Sequence, residues 1–511
     1  MNILKLLTSL FGITAIVLSG TALWISKTFG TRFGNIYFEQ ILWHVLESPF
    51  DGIDSNYIKR GIRYFLIILC LCLIWIFLVH YQRQVIGILR AAVFSIKRFL
   101  QSIVCLIKEY IPEKQNKSLS KILFSIAMVY LLGITVFIDK KFHIYEYISV
   151  EIERLLNKDS SGEDQIKKLY TVPIVHEIHF ENKKSIVLIM AESMENSFND
   201  PMIQQVLMPH MKKFQEMAEH NDATINIYGT GWTIASLTGW FFGLPLKLPH
   251  GIDGNKYMSK KGFLPSAESI FDILKKNGYE LVLVMGSDKR YSGMDILFSG
   301  HGSFRILDKS HFAREGWSLE KYGGTGWGFT DAFVLERAHE EYKKLKDRGS
   351  PFVLFVETID THSPAGFCPA DRKKYNDIRD AIIELDANLA HFSEKIWDDD
   401  IIYIVSGDHF FMGNPEFLSQ IKGRTIFNLF HGDLPPVSEK KRHESFSALD
   451  MAPTLLHAAG ARWDSDQFGL GISLFSNQST LLERYGPEEF NKILGSWSPL
   501  YSTFYERKTN E

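Results

Sequence analysis

Residues 185–193 read SIVLIMAES, in which an unbroken apolar run passes directly into Glu192 and Ser193. Three other runs share this length and apolar character, at residues 281–285 (LVLVM), 352–357 (FVLFVE) and 401–406 (IIYIVS). Runs that are apolar at every position are typical of parallel strands covered on both faces. Amphipathic helical stretches lie between them, at 267–279 and 330–346. This alternation predicts an α/β fold with a central, mostly parallel sheet and helices on both faces.

Polar side chains follow three of these strands, namely Glu192, then Asp360 and His362, then Asp408 and His409. Because ligands bind at the carboxyl ends of parallel strands, we expect these side chains at one edge of the sheet. Carboxylates and imidazole nitrogens together suit a divalent cation such as Zn or Mn. Each residue could instead be an ordinary polar residue at a strand end, but their convergence favours a cation site. The adjacent Asp408 and His409 reach one ion only if the chain turns, and Gly407 would allow that turn.

The segment 228–236 (YGTGWTIAS) supplies hydroxyl groups directly ahead of a helix-like run. A hydroxyl at a helix N-terminus beside a cation loses its proton more readily and can attack as an alkoxide. The alternative role for such a threonine is to cap the helix. Composition and spacing leave both roles open for Thr233.

The N-terminal part contains three uncharged stretches that could span a bilayer, at residues 6–26, 64–82 and 122–138. A helix needs roughly 20 apolar residues to cross, with about 17 as the lower limit. A cleavable signal peptide is the alternative for the first stretch, but its apolar run is long and no small-x-small cleavage site follows it. Basic residues outnumber acidic ones between 83 and 117, which predicts a cytoplasmic segment there.

Three spans with this orientation place the rest of the chain outside the membrane, whereas a fourth or re-entrant span would invert the topology. Residues 85–111 alternate apolar and basic side chains at helical spacing, which predicts an interfacial amphipathic helix. We therefore expect a transmembrane domain at 1–139, a linker at 140–180 and an extracytoplasmic α/β domain at 181–511.

Charge and cysteine content narrow the function classes. The formal net charge of -3 argues against a nucleic-acid partner, because a phosphate backbone requires a strongly basic face. Only Cys368 lies in the C-terminal part, so that domain cannot hold an internal disulfide.

Several stretches, in this order, resemble the alkaline phosphatase and sulfatase superfamily, and within it the membrane phosphoglycerol transferases. They are 229–235 (GTGWTIA), 243–246 (GLPL), 327–329 (WGF), 360–364 (DTHSP), 406–409 (SGDH), 450–460 (DMAPTLLHAAG) and 469–471 (GLG), with a weaker resemblance in the N-terminal part at 38–42 (FEQIL). The resemblance is strongest to the transferases that modify osmoregulated periplasmic glucans and more distant to lipoteichoic acid synthases. It implies a multi-pass protein of the bacterial cytoplasmic membrane, whose sulfatase-like catalytic domain lies in the periplasm.

The resemblance also implies one divalent cation, Mn or Zn, with the ligands Glu192, Thr233, Asp408 and His409. Thr233 is implied as the nucleophile. His362 is implied as a contact of the substrate phosphate or as the proton donor to a leaving group. We interpret Arg290 as a further phosphate contact, and Trp327 either lines the glycerol site or belongs to the core.

These roles imply a membrane-embedded enzyme that transfers phosphoglycerol from phosphatidylglycerol to a glycan hydroxyl through a glycerophosphoryl-threonine intermediate. The alternatives are a phosphoethanolamine transferase or a phosphodiester hydrolase of the same superfamily, and a non-catalytic membrane sensor. The Cys/Ser-x-Pro-x-Arg element of true sulfatases is absent from the sequence, which argues against sulfate ester hydrolysis. Lipoteichoic acid synthases carry Trp-x-Arg where this chain has SGM at 292–294, so their glycerol-phosphate contacts do not carry over.

Overall fold

The computed structural model describes most of the chain beyond residue 164 and parts of what precedes it. The described residues are 11–21, 39–40, 43, 55–80, helical residues scattered between 125 and 152, and 164–506 apart from 173–176, 204, 221–223, 249–261, 323, 325, 363–376, 398–399, 414–415 and 437–444. The predicted basic segment 83–117 and amphipathic helix 85–111 lie outside them. Within these residues, no helix combines the length and the apolar character that crossing a bilayer requires.

The chain divides into two compact units. The first comprises Met1–Tyr37 and Phe50–Tyr145, and the second comprises Phe38–Pro49 and Glu146–Glu511. The longest described helix of the first unit is Ser55–His80. Glu39, Gln40 and Trp43, which fall within the predicted transmembrane domain, group with this second unit.

The second unit is built on a six-stranded sheet. Its strands are β1 (Ile186–Ala191), β2 (Glu280–Met285), β3 (Arg305–Leu307), β4 (Phe352–Glu357), β5 (Ile402–Gly407) and β6 (Asn428–His431). Their order is β3-β2-β4-β1-β5-β6, in which β6 pairs antiparallel with β5 and every other pair is parallel. This arrangement confirms the predicted α/β fold, and the four predicted strands are β1, β2, β4 and β5.

Strand β1 lies at the centre, with β4 on one side and β5 on the other. Met190 is opposite Glu357 in β4 and opposite Ser406 in β5. The three strands therefore end at the same level, and the residues that follow them meet at one edge of the sheet.

The central strands are buried on both faces because each face has its own hydrophobic core. Ile186 and Leu188 belong to one core, whereas Val187 and Ile189 belong to the other. Alternation of side chains along a strand sends successive residues to opposite faces. A strand in this position must be apolar at every residue, which explains the continuous runs in the sequence.

Helices cover both faces of the sheet. Their bounds within the second unit are Gln165–Leu169, Pro209–Glu216, Thr233–Phe242, Ile270–Lys276, Met294–Gly300, Lys309–Arg314, Leu319–Tyr322, Asp331–Arg348, Ile378–Ile396, Glu416–Ser419, Ala448–Ala458, Leu481–Gly495 and Pro499–Thr503. Two antiparallel two-stranded pairs complete the unit, His179–Phe180 with Ala461–Arg462 and Gln467–Phe468 with Gly471–Ile472.

Two buried helices pack closely against each other, α1 (Thr233–Phe242) and α2 (Ala448–Ala458). A Cβ atom added at Gly239 of α1 would lie 2.8 Å from the Ala448 carbonyl carbon. Helix α1 ends at Gly243, whose φ of +61° is a left-handed value that glycine adopts without steric cost. The close approach explains why a glycine lies inside α1, where it would otherwise be unfavourable.

Candidate active site

Glu192 directly follows β1, and the turn after it is strained. Ser193 has φ +56°, a left-handed value that costs a non-glycine residue of order 1–3 kcal/mol. The Glu192 N–H donates to Thr358 Oγ1 at 2.9 Å, which ties this turn to the chain after β4. Ser193 Oγ donates to Glu192 Oε1 at 2.6 Å, and the Ser193 N–H donates to Asp408 Oδ1 at 2.8 Å. The turn therefore holds the carboxylates of Glu192 and Asp408 beside each other.

Asp408 follows β5 and is fully buried. Its Oδ1 accepts a second hydrogen bond from the His409 N–H at 2.9 Å. Its Oδ2 is buried and has no hydrogen-bond donor among the residues that the structure describes. An unsatisfied buried carboxylate oxygen is costly unless a cation or a proton compensates it.

His409 presents one defined ring nitrogen to this oxygen. Its Nδ1 lies 2.8 Å from the Phe410 carbonyl oxygen, and because a carbonyl can only accept, Nδ1 must carry a proton. Nε2 then faces the two carboxylates, at 3.2 Å from Asp408 Oδ2 and 3.8 Å from Glu192 Oε1. A hydrogen bond from the distal nitrogen to a carbonyl is the usual way to orient a metal-binding histidine.

Glu192, Asp408 and His409 form a buried group whose ligand atoms all lie within 4.8 Å of one another. Burial raises the pKa of Glu192, and burial together with the Glu192 charge raises the pKa of Asp408 to about 6. Burial alone would lower the pKa of His409, but the neighbouring carboxylates outweigh it and raise that pKa. Two buried carboxylates and one imidazole nitrogen, with an Asp408 oxygen that lacks a donor, fit a divalent cation well.

Thr233 completes this group from α1. Its Oγ1 lies 3.4 Å from Glu192 Oε2 and 3.4 Å from His409 Nε2. Trp232 occupies the N-cap position and makes no side-chain capping hydrogen bond, so Thr233 is the first residue of the helix and not its cap. The hydroxyl therefore lies at the positive end of α1, where a developing negative charge is stabilised.

Gly407 is required for a reason other than the predicted turn. It lies inside β5, and its φ is outside the left-handed region. A Cβ atom there would lie 2.0 Å from the Met194 carbonyl oxygen. The chain bends directly after it, at Asp408 and His409, and Gly407 itself is small because the chain after Glu192 passes close to the end of β5.

His362 is buried in the loop after β4, next to an aromatic pair. Its ring centroid lies 4.3 Å from that of Trp327, which in turn lies 5.6 Å from the ring of Tyr291. Trp327 is half-buried, so it packs against His362 instead of belonging to the interior of a core. The structure thus places His362 on an aromatic wall formed by loops after β2 and before the helix Asp331–Arg348.

The sequence was compared with families and with known proteins. The family model described as Sulfatase matches residues 184–461, more than half of the chain and all of the residues described above from Glu192 to His409. The chain belongs to the sulfatase family.

Two relatives of this sulfatase-family chain carry the name phosphoglycerol transferase I, one from Escherichia coli O6:K15:H31 (strain 536 / UPEC) and one from Shigella flexneri. Each is 30% identical over 313 residues, which cover 58% of this chain and 40% of the relative. The match thus spans less than half the length of these relatives. Among solved structures, lipoteichoic acid synthase LtaP from Listeria monocytogenes is similar, with a TM-score of 0.47, 17% identity and coverage of 61% of this chain and 80% of that chain.

Arg290, the predicted phosphate contact, has an exposed side chain in this sulfatase-family fold. Its guanidinium forms an ion pair with Asp288, with Nη2 2.7 Å from Oδ2. The pair lowers the pKa of Asp288, chiefly through the hydrogen bond from Arg290. A role for Arg290 as a phosphate contact stays a prediction.

Sequence reasoning missed several residues that support the site. Ser193 is one, because nothing in the sequence indicates that this serine has a left-handed φ and hydrogen-bonds to both Glu192 and Asp408. Glu357 is another, because it is fully buried at the end of β4 and burial, followed by the charge of Glu192, raises its pKa well above the usual value. An acid that closes the apolar run FVLFVE was the available signal for Glu357.

An ion pair between the buried Glu195 and the partly exposed Arg424 supports the loop that follows Asp408 and His409. Arg424 Nε donates to Glu195 Oε2 at 2.7 Å, and Arg424 Nη2 donates to the Phe411 carbonyl oxygen at 3.1 Å. The Phe411 N–H donates to Glu195 Oε1 at 3.1 Å. Both backbone groups of Phe411 are thus held, which fixes the chain two residues after His409.

Proposed function

We propose that this sulfatase-family protein transfers phosphoglycerol from phosphatidylglycerol to a glycan hydroxyl, through a glycerophosphoryl intermediate on Thr233. The observation that carries the proposal is the position of Thr233 Oγ1, at a helix N-terminus and 3.4 Å from both Glu192 and His409. A hydroxyl placed at a buried cation site has the geometry of an activated nucleophile. The relatives named phosphoglycerol transferase I support the choice of the transferred group.

In the first step, Thr233 Oγ bonds to phosphorus and the bond from phosphorus to the diacylglycerol oxygen breaks. The Thr233 hydroxyl proton would pass to Glu192 Oε2, 3.4 Å from Oγ1, and return to Oγ1 when the bond to phosphorus breaks in the second step. A divalent cation, Mn or Zn, held by Glu192, Asp408, His409 and Thr233 would supply positive charge that stabilises the alkoxide and the phosphate oxygens.

In the second step, a glycan hydroxyl attacks phosphorus and the bond to Thr233 breaks. His362 is proposed to give a proton to the diacylglycerol oxygen in the first step and to take one from the glycan hydroxyl in the second. Its position against the ring of Trp327 supports this role, because the packing fixes the orientation of the imidazole.

We further propose the domain arrangement inferred from the sequence, with a transmembrane domain at 1–139, a linker at 140–180 and a catalytic domain at 181–511 outside the bacterial cytoplasmic membrane. A lipid donor presents its head group only at a membrane surface, which supports a membrane-anchored enzyme. Reporter enzymes fused after residue 138 test the arrangement, and cytoplasmic reporter activity would contradict it.

The covalent intermediate can be tested with phosphatidylglycerol that carries a radiolabelled glycerol head group. We expect the wild-type chain to become labelled without acceptor, Thr233→Ala to lose the label, and Thr233→Ser to keep it because serine retains a hydroxyl. Label that persists on Thr233→Ala at wild-type level would show that another residue is the nucleophile.

The same preparation distinguishes the alternative functions. We expect phosphoglycerol to appear on a glucan acceptor when one is added. Release of glycerol phosphate to water, unchanged by the glucan, would indicate a hydrolase. Labelling from phosphatidylethanolamine and not from phosphatidylglycerol would indicate an ethanolamine transferase.

A further inference from the structure

Three residues from the segment Phe38–Pro49 lie on the second unit, far in sequence from the rest of it. Glu39, Gln40 and Trp43 are helical, and Gln40 and Trp43 are almost fully buried. Residues three and four apart in a helix share a face, so Trp43 lies on the same face as both others. One face of this short segment therefore packs against the catalytic unit.

Each of the three side chains contacts a different loop. The Tyr228 hydroxyl donates to Glu39 Oε1 at 2.6 Å. Gln40 Nε2 lies 3.3 Å from the sulfur of Met412. Trp43 contacts the loop that contains Ser292.

Trp43 is bound through both its ring nitrogen and its ring edge. Its Nε1–H donates to Ser292, with distances of 3.1 Å to Oγ and 3.3 Å to the carbonyl oxygen. Its ring packs edge-on against Phe263 at 5.8 Å. Ser292 has φ +57°, a strained conformation that persists only where surrounding contacts hold it.

These three loops are the ones that carry the catalytic groups. Tyr228 precedes the glycine-containing stretch that leads to Thr233, and Met412 lies three residues after His409. Ser292 is adjacent to Tyr291, whose ring packs on Trp327 beside His362. The segment therefore bridges the nucleophile loop, the metal-ligand loop and the aromatic wall.

We propose that Glu39, Gln40 and Trp43 form a positioning element of the catalytic site, in which the three side chains fix the relative placement of the three loops. This inference rests on the proposed transfer reaction and assigns a catalytic purpose to a stretch outside the sulfatase match. A displacement of about 1 Å at a reacting group can cost on the order of 100-fold in rate. Loss of one bridging contact is accordingly expected to lower kcat by roughly 10-fold, with KM little changed.

A double-mutant cycle in the full-length chain tests the hydrogen bond between Glu39 and Tyr228. We expect Glu39→Ala and Tyr228→Phe each to lower kcat by about 10-fold, and the double variant to lower it no further, because both changes remove one interaction. Glu39→Gln keeps an acceptor oxygen and is expected to restore most of the activity. Two substrates are used, phosphatidylglycerol in mixed micelles and the soluble diester bis(p-nitrophenyl) phosphate, since misplaced loops impair both reactions.

Trp43→Phe has a matched control in Trp463→Phe. Trp463 is also buried and also donates its Nε1–H to a carbonyl oxygen, that of Gln467 at 3.0 Å. We expect Trp43→Phe to lower kcat and Trp463→Phe to leave it unchanged, even where both lower the melting temperature alike. Hydrogen exchange should accelerate in peptides covering 228–233 and 287–293 only in Trp43→Phe.

Several results would overturn the inference. Equal kcat for wild type and Glu39→Ala would do so, as would additive effects in the cycle or a loss confined to the lipid substrate. Unchanged hydrogen exchange in Trp43→Phe would also contradict it. A wild-type chain that turns over neither substrate and takes no label on Thr233 would instead overturn the proposed function, and with it this inference.

Discussion

Asp408 is the residue whose ionisation links the site to pH. Burial and the neighbouring Glu192 raise its pKa to about 6, and the pKa values of Glu192 and His409 are raised as well. A raised pKa means that the metal-free fold binds protons more tightly than the unfolded chain does. This group therefore stabilises the metal-free fold below its ordinary pKa of about 4, and the contribution is lost as the pH rises through about 6.

A cation binds only the deprotonated ligands, so the stabilisation it provides should grow with pH. At about 100 times Kd, the stabilisation is about 2.7 kcal/mol. We expect Mn or Zn to raise the melting temperature at about pH 8 and to have little effect at about pH 5. Thermal unfolding with cation and with EDTA measures this, and Asp408→Asn serves as the control because its amide does not titrate. An equal shift at both pH values would contradict the proposed ligand set.

Glu195 is buried and pairs with the partly exposed Arg424. Together the two side chains hold the backbone of Phe411, two residues after His409. Glu195→Gln would leave Arg424 without its counter-charge and weaken the hold on Phe411. We expect the free energy of unfolding to fall by about 1–3 kcal/mol, because the buried Glu195 carboxylate accepts charge-assisted hydrogen bonds that glutamine replaces only in part. We also expect weaker cation binding, measured by isothermal titration.

The control for this change is Glu268→Gln, which breaks a more exposed pair with Lys276, 2.9 Å long. Exposed pairs contribute about 0–1 kcal/mol, so this variant should be nearly as stable as wild type. A similar loss in both variants would show that the Glu195 pair has no special role.

At the scale of elements, the packing of α1 on α2 determines where Thr233, the proposed nucleophile, lies. Gly239→Ala would push α1 away from Ala448, because the added Cβ would be 3.0 Å from the Ala448 Cβ and 2.8 Å from its carbonyl carbon. Overpacking of this kind costs about 1–3 kcal/mol. We expect lower stability by chemical denaturation and a fall in kcat, because Thr233 begins the displaced helix.

Gly300→Ala is the matched control, since Gly300 ends a helix and has no atom within 4 Å of an added Cβ. Alanine there should be neutral or slightly stabilising. Wild-type stability of Gly239→Ala would mean that the two helices can separate without consequence.

The sequence predicted the strands that have a distinctive local pattern of apolar residues. Strands buried on both faces are continuous apolar runs, so β1, β2, β4 and β5 were predictable. Strands β3 and β6 are short edge strands with no such run, and the antiparallel direction of β6 depends on contacts remote in sequence. The convergence of Glu192, Asp408 and His409 was predictable because residues that follow neighbouring parallel strands meet at one edge of the sheet. The catalytic and metal-binding roles of these residues were inferred from the resemblance to the sulfatase superfamily.

Long-range packing explains what could not be predicted. No local pattern shows that Trp43 packs on Ser292, or that Glu195 pairs with Arg424 across 229 positions. The exposed, paired guanidinium of Arg290 was equally invisible, because its sequence neighbours give no sign of whether it points toward a site. These are properties of the assembled molecule.

At the scale of the whole molecule, the strand order has a consequence for the time at which the site forms. Strand β1 pairs with β4 and β5, and its loop bonds to residues 166 and 215 positions later, from Glu192 to Thr358 and from Ser193 to Asp408. Contacts between such distant positions form slowly. A chain that emerges from N- to C-terminus therefore carries Glu192 and Thr233 long before Asp408 and His409, so the cation-binding site assembles late. If a cation binds at the proposed site, its loading would report that the domain has finished folding, and a chain truncated before β5 would be unable to acquire it there.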